Sequence, residues 1–185
     1  MITLRPLTKA ELVCAPAIDL SETDEFFYHC VNGQLEMVQQ PWRRGDWDAA
    51  TWQDNLADWD GYLGLDVILG AFATEQLAGK QLTKESLVGL ASLCYRKTAT
   101  VAQVVSIHVS RPYRRQGIGT LLMQAMIRLA RVDGATQLYV WATNTPSAIG
   151  FYLNHGFHPI APGHEFYLAE AIDDIPLIMN LAERQ

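Results

Sequence analysis

A chain of 185 residues, 49% hydrophobic and 18% charged, has the makeup of one folded domain with a sizeable core. Its net charge of −6 argues against general nucleic-acid binding, and no apolar run approaches the ~18 residues of a membrane span. Cys14, Cys30 and Cys94 are scattered, without Cys-x-x-Cys or Cys/His spacing; reduced thiols, no metal site and a cytoplasmic protein without a leader are expected.

Met1–Pro6 reads as a short strand, and Thr8 as the cap of a helix to about Cys14. Glu25–Val31 and Gln34–Gln39 flank Asn32-Gly33, a hairpin pattern with a type I′ turn. Asp48–Asp60 reads as a helix with Trp52, Leu56 and Trp59 on one face. Leu65–Phe72 and Leu87–Tyr95 read as strands joined by a polar linker, Thr74–Glu85, and Val101–Val109 as the next strand. Ile118, Leu121, Leu122, Ala125, Met126 and Leu129 recur at helical spacing, which predicts a helix over Gly117–Val132. Gln137–Ala142 reads as a strand. Thr145-Pro146 then supplies a cap and a first-turn proline for a helix ending near Gly156. Phe157–Ile160 and Ile175–Leu181 read as two final strands, so the class is mixed α/β.

The loop between Val109 and the helix carries the chemistry. Against an acidic background, Arg111, Arg114 and Arg115 stand within five positions, followed by Gly117 and Gly119. Free N–H groups from about Arg115 to Thr120 at a helix start form an anion site, and the arginines add cationic donors. A side chain at Gly117 or Gly119 is expected to obstruct the anion. A P-loop requires Lys-Ser/Thr after its second glycine, and only Thr120 follows Gly119. A dinucleotide fingerprint requires a third glycine where Leu122 stands.

What remains, Arg114-x-x-Gly117-x-Gly119 after a strand and opening a helix, resembles the pyrophosphate loop of the GCN5-related N-acetyltransferases. Downstream, Asn144-x-x-x-Ala148-x-x-Phe151-Tyr152-x-x-x-Gly156-Phe157 is similar to the second cofactor motif of that family. The two motifs cover about Val101 to Ile160. The hairpin at Asn32-Gly33, followed by Pro41-Trp42, has a looser likeness to the streptothricin acetyltransferase branch.

The resemblance implies one acetyltransferase domain over 1–185: acceptor-side elements in 1–100, an acetyl-CoA-binding core in 101–160, and closing strands in 161–185. The implied fold is a mixed, mostly antiparallel sheet of about seven strands, flanked by helices, with splayed central strands. It implies acetyl-CoA as acyl donor, held by Arg114, Arg115, Gln116, Gly117, Ile118, Gly119 and Thr120 at its pyrophosphate. The backbones of Ile107 and Val109 would line the pantetheine arm beside the strand of Tyr139 and Trp141. Asn144 would hydrogen-bond that arm, and an N–H near Val109 would polarise the thioester carbonyl. Tyr152 would protonate the departing sulfur and touch the cofactor. Structural roles stay open beside these: solvated arginines, a polar strand end at Asn144, a packed aromatic at Tyr152.

A primary amine must lose a proton before it attacks, and relatives often place a glutamate on the strand before the loop. Here Gln103 and Val105 stand on the expected cofactor-facing side, and neither can be a base. His108 has the opposite parity to Ile107 and Val109 and reads as packing. Glu25, His29, His164, Glu165 or a water chain are the substitutes. Trp42, Trp47, Trp52 and Trp59, interleaved with Asp46, Asp48, Asp54, Asp58 and Asp60, read first as a core-packed helix face and second as an aromatic wall for a cation. The acceptor implied is a small-molecule amine or a protein amino group, acting on a monomer or homodimer, with no nucleic acid, membrane or metal partner. The missing carboxylate leaves a second reading, a non-catalytic coenzyme A-binding or acyl-CoA-sensing module.

Overall fold

The computed structural model describes residues 1–61, 66–76, 83–95 and 97–181, with side chains at 9, 56–61, 75–76 and 83–84 outside the description. The main sheet has seven strands in the order β1 (Ile2–Pro6), β4 (Val67–Gln76), β5 (Thr83–Cys94), β6 (Val101–Val109), β7 (Gln137–Thr143), β10 (Asp174–Asn180) and β8 (His158–Pro159). Every neighbouring pair is antiparallel except β6 and β7. That parallel pair requires a crossover, which α2 (Ile118–Val132) provides. Ile118, Leu122, Ala125 and Met126 of the predicted stripe, with Met123 and Ala130, are buried against Ala91, Leu93, Ala102, Val104, Leu138 and Val140 of the sheet, whereas the predicted Leu121 is exposed. The mixed, mostly antiparallel seven-stranded sheet is as expected.

A second sheet, β3-β2-β9, joins β2 (Glu22–Val31), β3 (Gln34–Arg44) and β9 (Glu170–Ala171). Asn32 and Gly33 both have positive φ, 51° and 76°, as a type I′ turn demands. The hairpin extends beyond its predicted ends in both directions, and β9 was not legible in sequence.

Other elements depart from expectation for local reasons. The segment after Thr8 is a 3-10 helix, Lys9–Ala17, with Pro16 inside it. The Glu11 carboxylate accepts from both the Thr8 N–H and its hydroxyl at 3.0 Å. Of the polar linker at Thr74–Glu85, the described residues 74–76 and 83–85 are strand: Thr74 pairs with Glu85 and Gln76 with Thr83, and residues 77–82 lie outside the description. Backbone pairing continues there after the side chains cease to alternate. α1 spans Ala49–Gly61, and Asp48 caps it by accepting from the Thr51 N–H at 2.8 Å. Trp52 is fully buried; the expected partners Leu56 and Trp59 on its face have side chains outside the described residues. Among the described residues, no helix is long and apolar enough to cross a membrane.

Candidate active site

The site begins with a bulge. Ser92 pairs with Ser106 but Leu93 pairs with Val104, so Val105 is an extra residue on β6. The insertion reverses the side-chain alternation. Ala102 and Val104, then Ile107 and Val109, pack in the core cluster under α2, whereas Val105 joins a separate cluster with Trp52 and His108 lies against Trp47 and Trp52. Gln103 and Val105 therefore lie opposite Ile107 and Val109, not beside them as simple parity predicts. His108 has the predicted side.

At the same point β6 and β7 part. Their ladder runs from Val101–Gln137 to Val104–Val140 and ends there, although β6 continues to Val109 and β7 to Thr143. The Ser110 N–H bonds the Val88 carbonyl on β5 at 2.8 Å. Antiparallel alternation then turns the backbone groups of Ile107 and Val109 away from β5 and into the gap. This is the expected splay. Gly89, opposite Val109, lets the strands approach: a Cβ there would lie 2.8 Å from the His108 carbonyl.

The loop closes one end of the gap. Arg111–Tyr113 forms a 3-10 turn, and Arg115 and Gly117 adopt left-handed φ of 64° and 80°. The first helical bond of α2 runs from the Leu121 N–H to the Gly117 carbonyl at 3.0 Å. The N–H groups of Ile118, Gly119 and Thr120 thus have no acceptor within the helix. Arg115, Gln116, Gly117 and Thr120 are exposed, whereas the Ile118 side chain is 1% exposed, so only its backbone can face a ligand.

Three loop residues have duties that spacing did not reveal. The Arg114 guanidinium turns away from the helix start: Nε donates to the Val109 carbonyl at 3.1 Å and Nη1 to the Ser21 carbonyl at 3.3 Å. Its own N–H bonds the Arg111 carbonyl at 3.3 Å. Arg114 therefore braces the end of β6 through Nε and Nη1, a duty additional to its expected place among the pyrophosphate donors. Gln116 donates from Nε2 to the Pro112 carbonyl at 3.2 Å, tying the turn together. At Gly119 a Cβ would lie 3.0 Å from Cε2 of Phe151, so this glycine admits the close approach of α3 (Pro146–Asn154). At Gly117 a Cβ meets nothing within 4 Å; its left-handed backbone is what calls for glycine.

The second motif forms the opposite flank. Thr145 caps α3 as predicted, accepting from the Ala148 N–H at 3.2 Å, with Pro146 at the first position. Asn144 is a junction. Its N–H donates to the Asp173 carbonyl at 3.0 Å, its carbonyl accepts from the Tyr28 N–H at 2.8 Å, and its side-chain amide donates to the Ile172 carbonyl. That amide N–H is thus turned to the protein, which differs from the expected bond to the pantetheine arm. Tyr152 is 5% exposed and has edge contacts with Phe151 and Phe157, each 5.3 Å between centroids. Burial, and secondarily the Asp174 charge, push its phenol above the usual range, so it is held protonated.

On the other face of β6, His108 lies 5.4 Å from Trp47 and 5.7 Å from Trp52, ring to ring. Burial, then the charges of Arg44 and Arg114, lower its pKa to about 3. Asp46 accepts from the Leu20 and Trp47 N–H groups at 2.7 and 3.0 Å, and the Trp42 indole donates to the Phe26 carbonyl at 2.7 Å. Trp42, Trp47, Trp52, Asp46 and Asp48 are thus scaffold, and the side chains of Asp58, Trp59 and Asp60 lie outside the described residues. Among the substitutes for a base, His164 Nδ1 accepts from the Phe166 N–H at 3.2 Å, His29 lies against Phe27, and Glu25 and Glu165 are exposed. Sequence inspection missed Arg44, whose side chain pairs with Glu22 at 3.3 Å, and Asp174 at the start of β10. Only the order β7-β10 brings Asp174 to this end of the sheet. Among the described residues no His, Cys, Asp or Glu cluster is arranged to hold a metal ion.

The sequence pattern of the Acetyltransferase (GNAT) family matches residues 34–157, more than half of the chain. The chain belongs to this family. Among solved structures, nourseothricin acetyltransferase superposes with TM-score 0.69 at 20% identity, over 97% of this chain and 98% of that one. A Bacillus anthracis str. Ames protein assigned as a streptothricin acetyltransferase, in complex with acetyl coenzyme A, gives TM-score 0.65 at 16% identity over 97% and 98%. The ribosomal-protein-S18-alanine N-acetyltransferase from Escherichia coli gives 0.57 at 18% over 100% and 97%. At these identities the likeness is one of fold, and in that sense the first two match the streptothricin-branch likeness of the hairpin. No curated protein sequence matches the chain.

Proposed function

We propose that this GNAT protein is an acetyl-CoA-dependent N-acetyltransferase acting on a primary amine, of a small molecule or a protein, by direct attack within a ternary complex. The observation that carries this reading is the parting of β6 and β7 after Val104 and Val140, next to a loop that opens a helix. The residues fit the donor. A pantetheine arm is an extended chain with two amides, and Ile107 and Val109 turn backbone groups into the gap. A pyrophosphate suits the N–H groups of Ile118, Gly119 and Thr120 at the positive end of α2, with Arg115 exposed beside them.

Acetyl-CoA supplies a thioester whose acetyl group is activated toward nitrogen. The Val109 N–H is the donor for the carbonyl oxygen, and, fixed in a strand, it needs little reorganisation as charge develops. Tyr152, held protonated, is the acid for the departing sulfur. Asn144 and Arg114 are positioning residues: one ties the end of β7 to β2 and to the turn before β10, the other ties the end of β6 to Ser21. The sensing alternative rests on the missing carboxylate at Gln103 and Val105.

The test is thermal unfolding with acetyl-CoA. At about 100 times Kd a ligand adds about 2.7 kcal/mol, a rise of roughly 5–10 °C for a domain of this size. Gly117→Glu sets a carboxylate at the anion site on a left-handed backbone and is expected to abolish the rise. No rise with the unaltered protein rejects the proposal.

A further inference from the structure

We propose that Asp174 receives the acceptor: its carboxylate holds the ammonium form of a primary alkyl amine at the open end of the β6–β7 gap and takes the first proton. This rests on the acetyltransferase reading above and supplies the carboxylate that β6 lacks.

The sheet delivers the residue. Asp174 opens β10 and pairs with Thr143, the last residue of β7, beyond the point where β6 and β7 have parted. Ile175 and Leu177 are fully buried in the core under α2. Alternation therefore turns Asp174 to the opposite face, that of Tyr139 and, across the gap, His108. The turn before it is tied down by Asn144, which bonds the carbonyls of Ile172 and Asp173. Since Asn144 immediately precedes the Thr145 cap of α3, Asp174 is held in register with the helix that carries Tyr152.

The charges around it single it out. Glu22 is already paired with Arg44, whereas Asp174, exposed, has no ion pair among the described residues. The groups that bear on it are Asp173 in the preceding turn and Arg44 on β3, and its own charge bears on Tyr152 of α3. Arg114 and the neutral His108 stand behind Arg44. Although the residue reaches solvent, partial enclosure of its carboxylate, then Asp173, raises the Asp174 pKa, and Arg44 opposes them; a carboxylate so placed is a better proton acceptor than a free one. Its charge also bears, from the other face of the sheet, on the group proposed to donate to sulfur, so binding an ammonium there relieves Tyr152 of that negative charge.

The protons balance. The ammonium gives one proton to Asp174, which later releases it to water. The neutral nitrogen forms the C–N bond, the C–S bond breaks, and Tyr152 protonates the sulfur. The second nitrogen proton replaces the one that Tyr152 gave, leaving amide, thiol and one released proton.

The test measures thiol release from acetyl-CoA with a panel of primary alkyl amines, as kcat/KM for the amine from roughly pH 6 to 10, alongside the acetyl-CoA melting shift. Asp174→Asn is expected to keep the melting shift but lose about 10²-fold in kcat/KM near neutrality. Its rate should climb steadily toward the pKa of the free amine, because only the already neutral amine then reacts. Asp174→Glu should restore part of the neutral-pH rate. An Asp174→Asn enzyme with the parent rate and pH profile overturns the inference, as does an equal loss at every pH. A parent protein that binds acetyl-CoA but acetylates no amine also overturns it. A parent protein without the melting shift instead defeats the underlying acetyltransferase reading, and this inference with it.

Discussion

Gly119→Ala separates two explanations for the second loop glycine. The added Cβ would sit 3.0 Å from Cε2, 3.5 Å from Cζ and 3.8 Å from Cδ2 of Phe151. Carbon pairs are most favourable at about 3.5–4.0 Å, so the ring must retreat by roughly half an ångström. It has little room, since Tyr152 lies 5.3 Å and His155 4.4 Å from it, ring centroid to centroid. Overpacking of this kind costs about 1–3 kcal/mol, or about 2–12 °C in Tm for a domain of this size. Phe151→Leu removes the opposing edge. In the double variant Gly119→Ala/Phe151→Leu the penalty of the alanine is expected to shrink, with a coupling of about 1 kcal/mol between the sites. Urea unfolding of the four proteins measures that coupling, and acetyl-CoA melting shifts are recorded in parallel. Strict additivity would refute the packing explanation. So would a double variant that regains stability yet binds no acetyl-CoA, since the glycine would then be needed for the ligand.

Tyr152→Phe keeps the ring between Phe151 and Phe157, so its Tm should stay close to the parent while thiol release falls about 10²-fold; an unchanged rate removes the residue from the leaving-group role. His108 makes stability depend on pH. Unfolded, it takes up a proton below its ordinary pKa near 6.5, but folded its pKa is about 3, so between these values the unfolded chain holds the extra proton. The stability from burying neutral His108 is therefore whole above about pH 6.5 and lost as pH falls toward about 3. His108→Phe should flatten the fall in Tm between neutrality and mild acid, and an identical slope in both proteins would show that other groups carry it.

Much of the candidate site lies in short stretches of chain, and these were legible. A strand that stops at a turn and glycines that open an amphipathic helix are local backbone facts, set by the residues that adopt them. The same holds for Asn32-Gly33, whose positive φ angles follow from its own residue types, and for the Thr145-Pro146 cap. Spacing pointed to an anion-binding helix start; that a strand gap lies beside it, with Tyr152 at its flank, came from the resemblance of the two motifs to the acetyltransferase family.

Tertiary structure decided what those residues face. The extra residue Val105 exists only relative to β5, and by reversing alternation it moved Gln103 and Val105 to the side opposite Ile107 and Val109. No period-2 pattern on a single strand can show a bulge, which is a mismatch between two strands. Arg114 reads only as an anion donor until Ser21 and the Val109 carbonyl are folded against it. Gly119 reads only as ligand clearance until Phe151 arrives. Asp174 is an ordinary polar residue at the start of a strand, and its placement depends on β10 entering the sheet beside β7. The sequence by itself determined a helix start with free N–H groups after a strand, because backbone conformation follows from nearby residues; only the fold decided which side chains stand around it, because those contacts join segments far apart in the chain.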